Sequence, residues 1–399
     1  MQLGTFESNR LRRLAAPLVT RIRQSPALSS IARSLRRASG AAKETWPVGA
    51  DSVEPRYQVD FKSLLPPSGF AGNTCLVVQA GHPIIASYHR ALKLLDVPGR
   101  VLDPAKDGFY DDLVHGNDDV IIYKPSATTN LQRQMSWEKA LPLYDNSRWS
   151  IHPRPPELRI YESKRELFYF LKLNGIPHPE THVFFDVDEA LEFAEHCELP
   201  QVFKTNTGAS SKGVEIFRDR RKLIDLVRDV FRRHYIKRSL WDYRDIDYGY
   251  VLLQKFLAPV REFRVIKVGE SWFTYEKMPG ATELMSGSGV SAFPQPSEKL
   301  LNFCRDISER FAFNVMSFDV FQSGEDGAYL INEMQTWFGS YDNSQMYIDG
   351  VPGRLVYANE AWEFQPGFFN QFKSMPLIVA AAINAATGAL SVESAIQAP

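Results

Sequence analysis

The chain has few cysteines and no catalytic signature built on them. Cys75, Cys197 and Cys304 are widely spaced, and no two of them form a CxxC pair. This pattern argues against a disulfide scaffold and indicates thiols in a reducing environment. The sequence also lacks GxSxG, HExxH and Cys/His patterns. A hydrolase built on a serine, zinc or cysteine centre is therefore not indicated.

Long apolar runs are missing as well. No segment reaches the length of about 18 apolar residues that a membrane-spanning helix needs. The most apolar stretch, residues 375–390, is interrupted by Asn384 and predicts a buried terminal helix. No secretory signal is recognisable, so we expect a cytoplasmic protein.

The charge of the chain is nearly balanced but unevenly distributed. The 399 residues carry a net charge of −1, and 44% of them are hydrophobic and 12% aromatic. These values are typical of a folded protein, and the length predicts two or three domains. Residues 1–43 contain nine Lys or Arg and one acid, Glu7, so they carry +8. We therefore expect a separate basic extension over residues 1–50.

Leucines recur at helical spacing in this extension, and Pro17 and Pro26 interrupt them, which predicts two short amphipathic helices. The Arg-rich, acid-poor composition imitates an organelle transit peptide. It also fits a helix that lies on an anionic membrane or contacts a partner protein. The alternatives are a solvated extension and, more weakly, a nucleic-acid contact.

Alternating strands and helices begin near residue 70. Residues 74–80 and 118–124 predict buried strands, and residues 82–95 predict a helix between them. Strand–helix–strand at this spacing indicates a small parallel-sheet α/β domain over residues 70–160.

The most informative pattern is an acidic pair of strands farther along the chain. Asp319 lies on one apolar run, a polar turn follows, and Glu333 and Gln335 lie on the returning run. Side chains two apart share a face of a strand, so Glu333 and Gln335 point the same way. If Asp319 faces them, three oxygen ligands converge on a site suited to Mg²⁺ or Mn²⁺. On a regular strand, Asn332 faces away from that site.

A lysine and a glycine-rich loop lie upstream of these acids. Lys204 ends a predicted strand, and the loop from Gly208 to Gly213 leads into another. Glycine lets a backbone approach a ligand closely, and Lys204 and Lys212 would neutralise part of a triphosphate. The loop is not a P-loop, because Lys212 precedes the second glycine and a strand follows. A plain hairpin turn is the alternative.

Three further strands carry polar groups between the loop and the acids. Residues 254–257 end an apolar strand, where backbone groups can bind an adenine and two apolar side chains can pack on its ring. Arg264 lies on the next strand, where it shares a face with Glu262, and Lys277 ends the strand after that. Each of these signals is weak alone, so their order along the chain carries the argument.

That order resembles the ATP-grasp superfamily of carboxylate–amine ligases. The resemblance covers roughly residues 160–350. It is strongest in residues 201–214, 251–269 and 318–339. It implies a domain that clasps ATP between two α+β subdomains.

The resemblance implies a lid subdomain over residues 161–257 and a metal-binding subdomain over residues 258–399. It also implies the contacts to the nucleotide. The implied nucleotide-binding residues are Lys164, Lys204, Gly208, Ser210, Ser211, Lys212, Gly213, Gln254, Lys255, Phe256 and Leu257.

The same resemblance implies the catalytic and metal-binding residues. Arg264 takes the place of an arginine near the γ-phosphate, and Lys277 stands where related ligases often carry another arginine. Lysine keeps the charge there but loses the bidentate fork. Asp319 and Glu333 match the metal-binding acids. Gln335 stands where the family commonly has asparagine, which retains an amide oxygen on a longer arm.

The implied activity is an ADP-forming, Mg²⁺-dependent ligation of a carboxylate to an amine through an acyl phosphate. The substrates stay open among amino acids, peptides and glycan-linked acceptors. Residues 337–343 follow the metal strand and could line a substrate pocket. The basic, aromatic residues 233–249 could contact an acidic peptide or a glycan, or form a solvated flap.

Two other functions use the same nucleotide site. A phosphotransferase would phosphorylate an alcohol or an acid and stop there. A non-catalytic ATP-binding protein would use the fold to regulate a partner. Both leave the predicted ATP contacts unchanged, so only the reaction products distinguish them from a ligase.

Overall fold

The structure, a computed structural model, describes most of the chain after the basic extension. It describes residues 54–127, 129–208, 213–233, 235–236, 246–258, 260–278, 291–324, 326–339 and 345–388. The predictions for residues 1–50 and for most of the 233–249 segment lie outside the described residues. The same is true of Ser210, Ser211 and Lys212.

The first part of the described chain forms a four-stranded parallel sheet in the order β2-β1-β3-β4. Its elements are β1 (Thr74–Val77), α1 (Ile84–Leu95), β2 (Gly99–Leu102), α2 (Phe109–Val114), β3 (Val120–Tyr123), α3 (Asn130–Tyr144) and β4 (Ser150–His152). Every residue of β1 and β3 is buried. Helices cover both faces of a parallel sheet, which explains the continuous apolar runs of these strands. The predicted small parallel sheet is confirmed.

Two short helices lead out of this sheet, α4 (Pro155–Ile160) and α5 (Lys164–Leu173). Helix α5 begins at Lys164, where the Ser163 hydroxyl accepts a hydrogen bond from the Glu166 N–H and caps the first turn. It ends at Asn174, directly before Gly175, whose φ of 62° suits glycine.

A second sheet, which we call the lid sheet, follows in the order β5-β10-β6-β7. Its elements are β5 (Thr181–Phe184), α6 (Val187–His196), β6 (Gln201–Lys204), β7 (Val214–Phe217), α7 (Arg220–Arg232) and β10 (Val251–Lys255). Two short strands, β8 (Tyr235–Ile236) and β9 (Ile246–Asp247), pair with each other. The lid sheet packs against α6 and α7 in a hydrophobic core of its own.

The third sheet, the central sheet, is antiparallel, with β15-β14-β11-β12-β17-β16 in line, β13 beside β12 and β18 beside β17. Its strands are β11 (Val260–Val268), β12 (Ser271–Lys277), β13 (Ser291–Ala292), β14 (Val315–Ser323), β15 (Tyr329–Gln335), β16 (Met346–Ile348), β17 (Val351–Ala358) and β18 (Ala361–Pro366). Its helices are α8 (Glu298–Arg310) and α9 (Met375–Ala386). Because antiparallel sheets accompany a parallel one, the fold is mixed α/β, as predicted.

Helix α9 confirms the prediction of a buried terminal helix. Every residue from Met375 to Ile383 is buried, and Asn384 donates from Nδ2 to the Leu64 carbonyl oxygen at 2.9 Å. Across the ranges that the structure describes, no helix is both long and apolar enough to cross a membrane.

The parallel sheet and the central sheet share one continuous hydrophobic core, whereas the lid sheet does not contribute its strands to that core. A buried carboxylate on α4 also joins the two sheets. Glu157 Oε1 accepts hydrogen bonds from the N–H groups of Asn314 (2.8 Å) and Val315 (3.3 Å), where β14 begins. Its Oε2 accepts the Arg154 N–H at 2.7 Å. The two sheets are therefore held as one body.

Replacing Glu157 by alanine leaves three backbone N–H groups without their acceptor in a buried place. We expect Glu157→Ala to lower the free energy of unfolding by about 3 kcal/mol, measured by urea denaturation. The control is Glu138→Ala on α3, whose side chain pairs only with Gln134 at the surface, and it should change stability by less than about 0.5 kcal/mol. Equal effects of the two variants would contradict this role of Glu157.

Candidate active site

A row of buried charges crosses the middle of the central sheet. Arg264 on β11 lies opposite Asp319 on β14, and its Nε and Nη2 donate to the two carboxylate oxygens at 2.7 and 2.8 Å. Lys277 on β12 donates to Glu262 Oε1 at 2.6 Å and also to Asp319 Oδ2. The structure thus brings together the predicted residues Arg264, Lys277 and Asp319, and adds Glu262.

The two cations decide the charge state of Asp319. Burial alone would raise its pKa, but Arg264 and Lys277 outweigh burial and hold the pKa well below its usual value. The same balance acts on Lys277, where burial works to lower the pKa and the carboxylates raise it overall. Glu262 differs, because burial dominates over its pairing with Lys277 and raises its pKa. Asp319 is therefore ionised at neutral pH.

A β-bulge changes the expected geometry of β15. Asp319 pairs with Glu333 and the next residue, Val320, pairs with Ile331, so the register shifts and Asn332 is the extra residue. Its Oδ1 accepts a hydrogen bond from Lys204 Nζ at 2.9 Å. The prediction that Asn332 faces away from the acids assumed that β15 is a regular strand. The bulge makes the strand irregular at Asn332. Asn332 therefore lies in the cleft between the lid sheet and the central sheet.

Gln335 uses its side chain to connect the Glu333 carboxylate to the backbone of Glu162. Its Nε2 donates to Glu333 Oε1 at 2.8 Å, and its Oε1 accepts the backbone N–H of Glu162 at 3.1 Å. Glu162 has a φ of 50°, which is rare for residues other than glycine and is typical of functional sites. Burial raises the pKa of Glu162, and the Gly208 N–H and Lys164 oppose that rise. The sequence analysis missed Glu162 as a site residue.

The oxygen donors at this site decide whether it fits Mg²⁺. Asp319 and Glu333 are hard oxygen donors on adjacent strands, as that ion requires. Each carboxylate has about four lone-pair positions, and three hydrogen bonds leave Asp319 with one. Gln335 can be a ligand of the ion only if its amide group rotates, because its Oε1 accepts the Glu162 backbone N–H. The described residues contain no cluster of three or more His, Cys, Asp or Glu. The two acids therefore fit the ion, with phosphates and waters completing its shell.

The cleft beside this site is lined from three directions. Its walls come from α5, from the lid sheet and from β15. The lining residues are Lys164, Leu167, Phe168, Leu171, His178, Thr181, Lys204, Leu252, Gln254, Ile331 and Asn332. Burial, followed by the nearby Lys164, lowers the pKa of Lys204 to about 8. The cleft thus combines apolar walls with two cations, a combination that suits a nucleotide.

The glycine loop joins the start of α5 to the lid sheet. Lys164 Nζ donates to the Gly208 carbonyl oxygen at 2.8 Å, and the Ser163 hydroxyl donates to Asn206 Oδ1 at 3.1 Å. At the other end of the loop Gly213 has a φ of 79°, and a Cβ there would lie 2.0 Å from Thr205 Oγ1. Only glycine fits that position, so the loop is held at both ends described by the structure.

Of the four residues 254–257 that were predicted to bind the adenine, the structure brings only Gln254 to the cleft. Gln254 lines it and donates to Thr181 Oγ1 at 2.9 Å. Lys255 pairs with Glu198 at the surface. Phe256 lines a separate cavity, under the guanidinium of Arg218.

The physical reason is that β10 ends at Lys255 and its backbone is already bonded. The N–H groups of Lys255 and Phe256 donate to the carbonyl oxygens of Glu180 and Pro200. These two N–H groups are therefore already engaged and are not available to an adenine. Phe256 lies at another cavity and not at the cleft. Leu257 follows the strand and does not line the cleft either.

A second cavity, of about 260 Å³, lies beyond Glu162, and we call it the acid pocket. The lining residues are His82, Ile84, Lys124, Tyr161, Glu162, Trp337, Phe338, Gly339, Lys373 and Ile378. Residues 337–339 thus line a pocket, as predicted for the start of the 337–343 segment, and residues 340–343 lie outside the described part of the chain. His82, Lys124 and Lys373 carried no sequence signal, because three distant segments supply them.

The arrangement of the three sheets is shared with solved structures of ligases and synthetases. An N5-carboxyaminoimidazole ribonucleotide synthetase in complex with ADP is 14% identical over 72% of this chain and 82% of that chain, with a TM-score of 0.50. A D-alanine–D-alanine ligase from Bacillus anthracis is 13% identical over 80% of this chain and 100% of that chain, with a TM-score of 0.50.

A RimK domain ATP-grasp protein from Sphaerobacter thermophilus is 17% identical over 66% of this chain and 90% of that chain, with a TM-score of 0.45. A scan with protein-family models finds no match. A search of curated proteins finds none either. At these identities the similarity establishes the fold, and the chain has the ATP-grasp fold.

Removing the charge of Asp319 should destabilise the fold as well as the site. We expect Asp319→Asn to lower the free energy of unfolding by about 3 kcal/mol, because Arg264 then loses its counter-charge and Lys277 is left with Glu262 alone. The matched control is Glu333→Gln, which has no buried cation as its hydrogen-bond partner and should cost less than about 1 kcal/mol. Urea denaturation at neutral pH measures both. A smaller loss in Asp319→Asn than in the control would contradict the ion network.

The lowered pKa of Lys204 predicts a pH dependence of nucleotide binding. A bound phosphate favours the ammonium, so affinity should fall as the pH rises through about 8 and the free protein loses that proton. The expected slope is up to about tenfold per pH unit, measured by calorimetry with a non-hydrolysable ATP between about pH 7.5 and about pH 9.5. Lys204→Arg is the control, since arginine stays charged, and an equal slope in that variant would contradict the assignment.

Proposed function

We propose that the chain is an ADP-forming ligase that joins a carboxylate to an amine with ATP. The observation that carries this proposal is the position of Glu162, which lines the acid pocket and whose backbone N–H donates to Gln335 beside Glu333. On one side of Glu162 lie Lys204, Arg264 and the acids of β14 and β15, which suit a nucleotide triphosphate. On the other side lies the acid pocket, which suits a small organic substrate. A phosphoryl group and its acceptor can therefore meet at this residue.

The chemistry that this arrangement supports has two steps. A carboxylate oxygen of the substrate attacks the γ-phosphorus of ATP, the bond to the β–γ bridging oxygen breaks, and ADP leaves. The amine then attacks the carbonyl carbon of the acyl phosphate, inorganic phosphate leaves, and the amine loses a proton. The protein needs no nucleophile of its own, because positioning and charge compensation supply the rate enhancement.

The residues of the cleft supply that compensation. Lys204 would contact the phosphates next to the glycine loop, and Lys164 would hold the loop at Gly208. Arg264 donates hydrogen bonds from Nε and Nη2 to Asp319, and its Nη1 makes no hydrogen bond within the described residues. That nitrogen would contact the transferring phosphoryl group. Lys277 would act through Asp319 and not on the phosphate directly.

Asp319 and Glu333 would hold a Mg²⁺ ion, with Gln335 as a positioning residue between Glu333 and Glu162. When bound, this ion supplies charge neutralisation at the phosphates. The cleft has a volume of about 20 Å³, little more than one water molecule needs. Adenine binding therefore requires the lid sheet to move, and its separate hydrophobic core supports motion as a unit.

The direct test is product formation with a panel of carboxylates and amines. We expect ADP release that depends on both substrates, and Glu333→Gln should reduce kcat/KM roughly 100-fold or more by weakening the metal site. The surface variant Glu363→Gln should change it less than about twofold. ADP release is followed by a coupled assay, and formation of the amide is followed by mass spectrometry, in the unmodified protein and in both variants.

Two outcomes of that panel would replace the proposal. A stable phosphorylated product formed without amine would indicate a phosphotransferase. Tight ATP binding without turnover on any pair, unchanged in Glu333→Gln, would indicate a non-catalytic nucleotide-binding protein.

A further inference from the structure

A further cavity, of about 510 Å³, lies where the parallel sheet meets the central sheet, and we call it the junction cavity. One of its walls is β4 with Arg154, the residue that precedes α4. The other walls come from β11, β12, α8, the start of β14, β17 and α9. Small-molecule sites commonly have volumes of about 300–1,000 Å³ and lie between domains. The junction cavity therefore has the size and the place of a ligand site.

The junction cavity lies on the opposite face of the central sheet from the ion network. Lys267 follows Arg264 by three positions on β11, and side chains an odd number of positions apart point to opposite faces of a strand. Lys267 lies directly opposite Trp272 on β12, and both line the cavity. Arg264 lies opposite Asp319 on the other face. A ligand of the cavity is therefore distinct from a ligand of the cleft.

Two cationic side chains of the cavity wall bond only to backbone carbonyl groups within the described residues. Lys267 Nζ donates to the Phe313 carbonyl oxygen at 2.6 Å. Arg154 donates from Nη2 alone, to the carbonyl oxygens of Phe311 and Ala312. No carboxylate of the described ranges forms an ion pair with either cation. An ammonium has three N–H donors and a guanidinium five, so both side chains keep donors for a ligand.

The acids near these cations are either exposed or already bonded. Glu270 and Glu309 line the cavity but are exposed, and Glu309 lies 3.6 Å from Nε of Arg305. The Glu157 carboxylate accepts three backbone N–H groups. Water screens the exposed acids. Burial of the Lys267 ammonium consequently outweighs the attraction of the three acids and lowers its pKa, and an anion in the cavity would oppose that effect.

Two buried polar atoms beside the cavity have no hydrogen-bond partner among the described residues. They are Nε2 of His152, the last residue of β4, and Oδ1 of Asn314, directly before β14. Both residues line the cavity, and their exposed fractions are only 4% and 8%. Buried polar atoms in native proteins nearly always have a partner. This wall therefore indicates an occupant that carries polar groups.

Aromatic side chains form another wall of the cavity. Trp272 is buried, and Tyr357 is half-buried. Each packs edge-on against Trp362, with ring centres 5.5 and 5.1 Å apart. These contacts hold both rings in place, so the wall is preformed. A flat carbon skeleton can pack against such a surface while its charged group reaches the two cations.

We infer that the junction cavity is a second ligand site of this chain, for a small organic anion whose carboxylate or phosphate is held by Lys267 and Arg154. Both anions present the oxygen acceptors that ammonium and guanidinium groups bind best. The aromatic wall would hold the carbon skeleton. This inference goes beyond the proposed ligase and does not depend on it, because the cavity shares no lining residue with the cleft or with the acid pocket.

The test uses two matched pairs of probes on the full chain, with Mg²⁺ and a non-hydrolysable ATP present to occupy the cleft. Calorimetry compares benzoate with benzamide, and phenyl phosphate with phenol. In at least one pair the anion should bind roughly tenfold tighter or more, because it adds hydrogen bonds between charged groups. The pair that shows the preference identifies the anionic group. Equal affinity within both pairs, or no binding of either anion, overturns the inference.

Two variants and a control assign this preference to the cavity. Lys267→Met keeps the apolar stem and removes the ammonium, and Arg154→Gln removes the guanidinium from a different element. Each should remove most of the preference, whereas Lys93→Met, on the exposed side of α1, should keep it. Thermal unfolding checks that each variant is folded, and if one is not, the other decides. A preference that survives in the folded variants overturns the inference.

A crystal structure locates the probe directly and needs no variant. Crystals of the full chain are soaked with 4-bromobenzoate or 4-bromophenyl phosphate, and anomalous data are collected at the bromine edge. We expect a bromine peak in the junction cavity, with the anionic group in hydrogen-bond contact with Lys267 or Arg154. Bromine peaks that lie only at other sites, or no peak with either probe, overturn the inference.

Discussion

The buried ion network of Asp319, Arg264, Lys277 and Glu262 is the interaction on which the active centre depends. It spans β11, β12 and β14, so it sets the positions of three strands as well as the charge of Asp319. Burying four charges is costly, and the cost is offset only because each has a close partner of opposite sign. The charges of the two acids and the two bases balance within this network, and Glu333 lies outside it.

The residues at and after the bulge in β15 connect this network to the cleft and to the acid pocket. The bulge turns Asn332 toward Lys204 on the lid sheet, while Gln335 reaches Glu162 at the start of the acid pocket. The side chain of Gln335 spans from the Glu333 carboxylate to the Glu162 backbone N–H. In the proposed ligase, nucleotide and substrate would meet across this hydrogen-bonded path, and a change at Gln335 should affect the binding of both.

Much of the fold could be predicted from the sequence, because it rests on local patterns. The apolar runs of β1 and β3, the cap at Ser163 and the acids of β14 and β15 are each visible within a few residues. The site was less predictable, because its other parts depend on register and on contacts between distant segments. The bulge at Asn332 and the lining of the acid pocket are set by tertiary packing. The position of Phe256 outside the cleft follows from the backbone hydrogen bonds at the end of β10.

The central claim is that the cleft between the lid sheet and β15 binds ATP with a metal ion on Asp319 and Glu333. The most direct measurement is a crystal structure with a non-hydrolysable ATP and Mn²⁺, with anomalous data at the manganese edge. The account predicts an anomalous peak in contact with Glu333 and Asp319, phosphates at Lys204 and Arg264, and adenine beside Gln254. A nucleotide bound elsewhere, or a metal peak without contact to either acid, would contradict it.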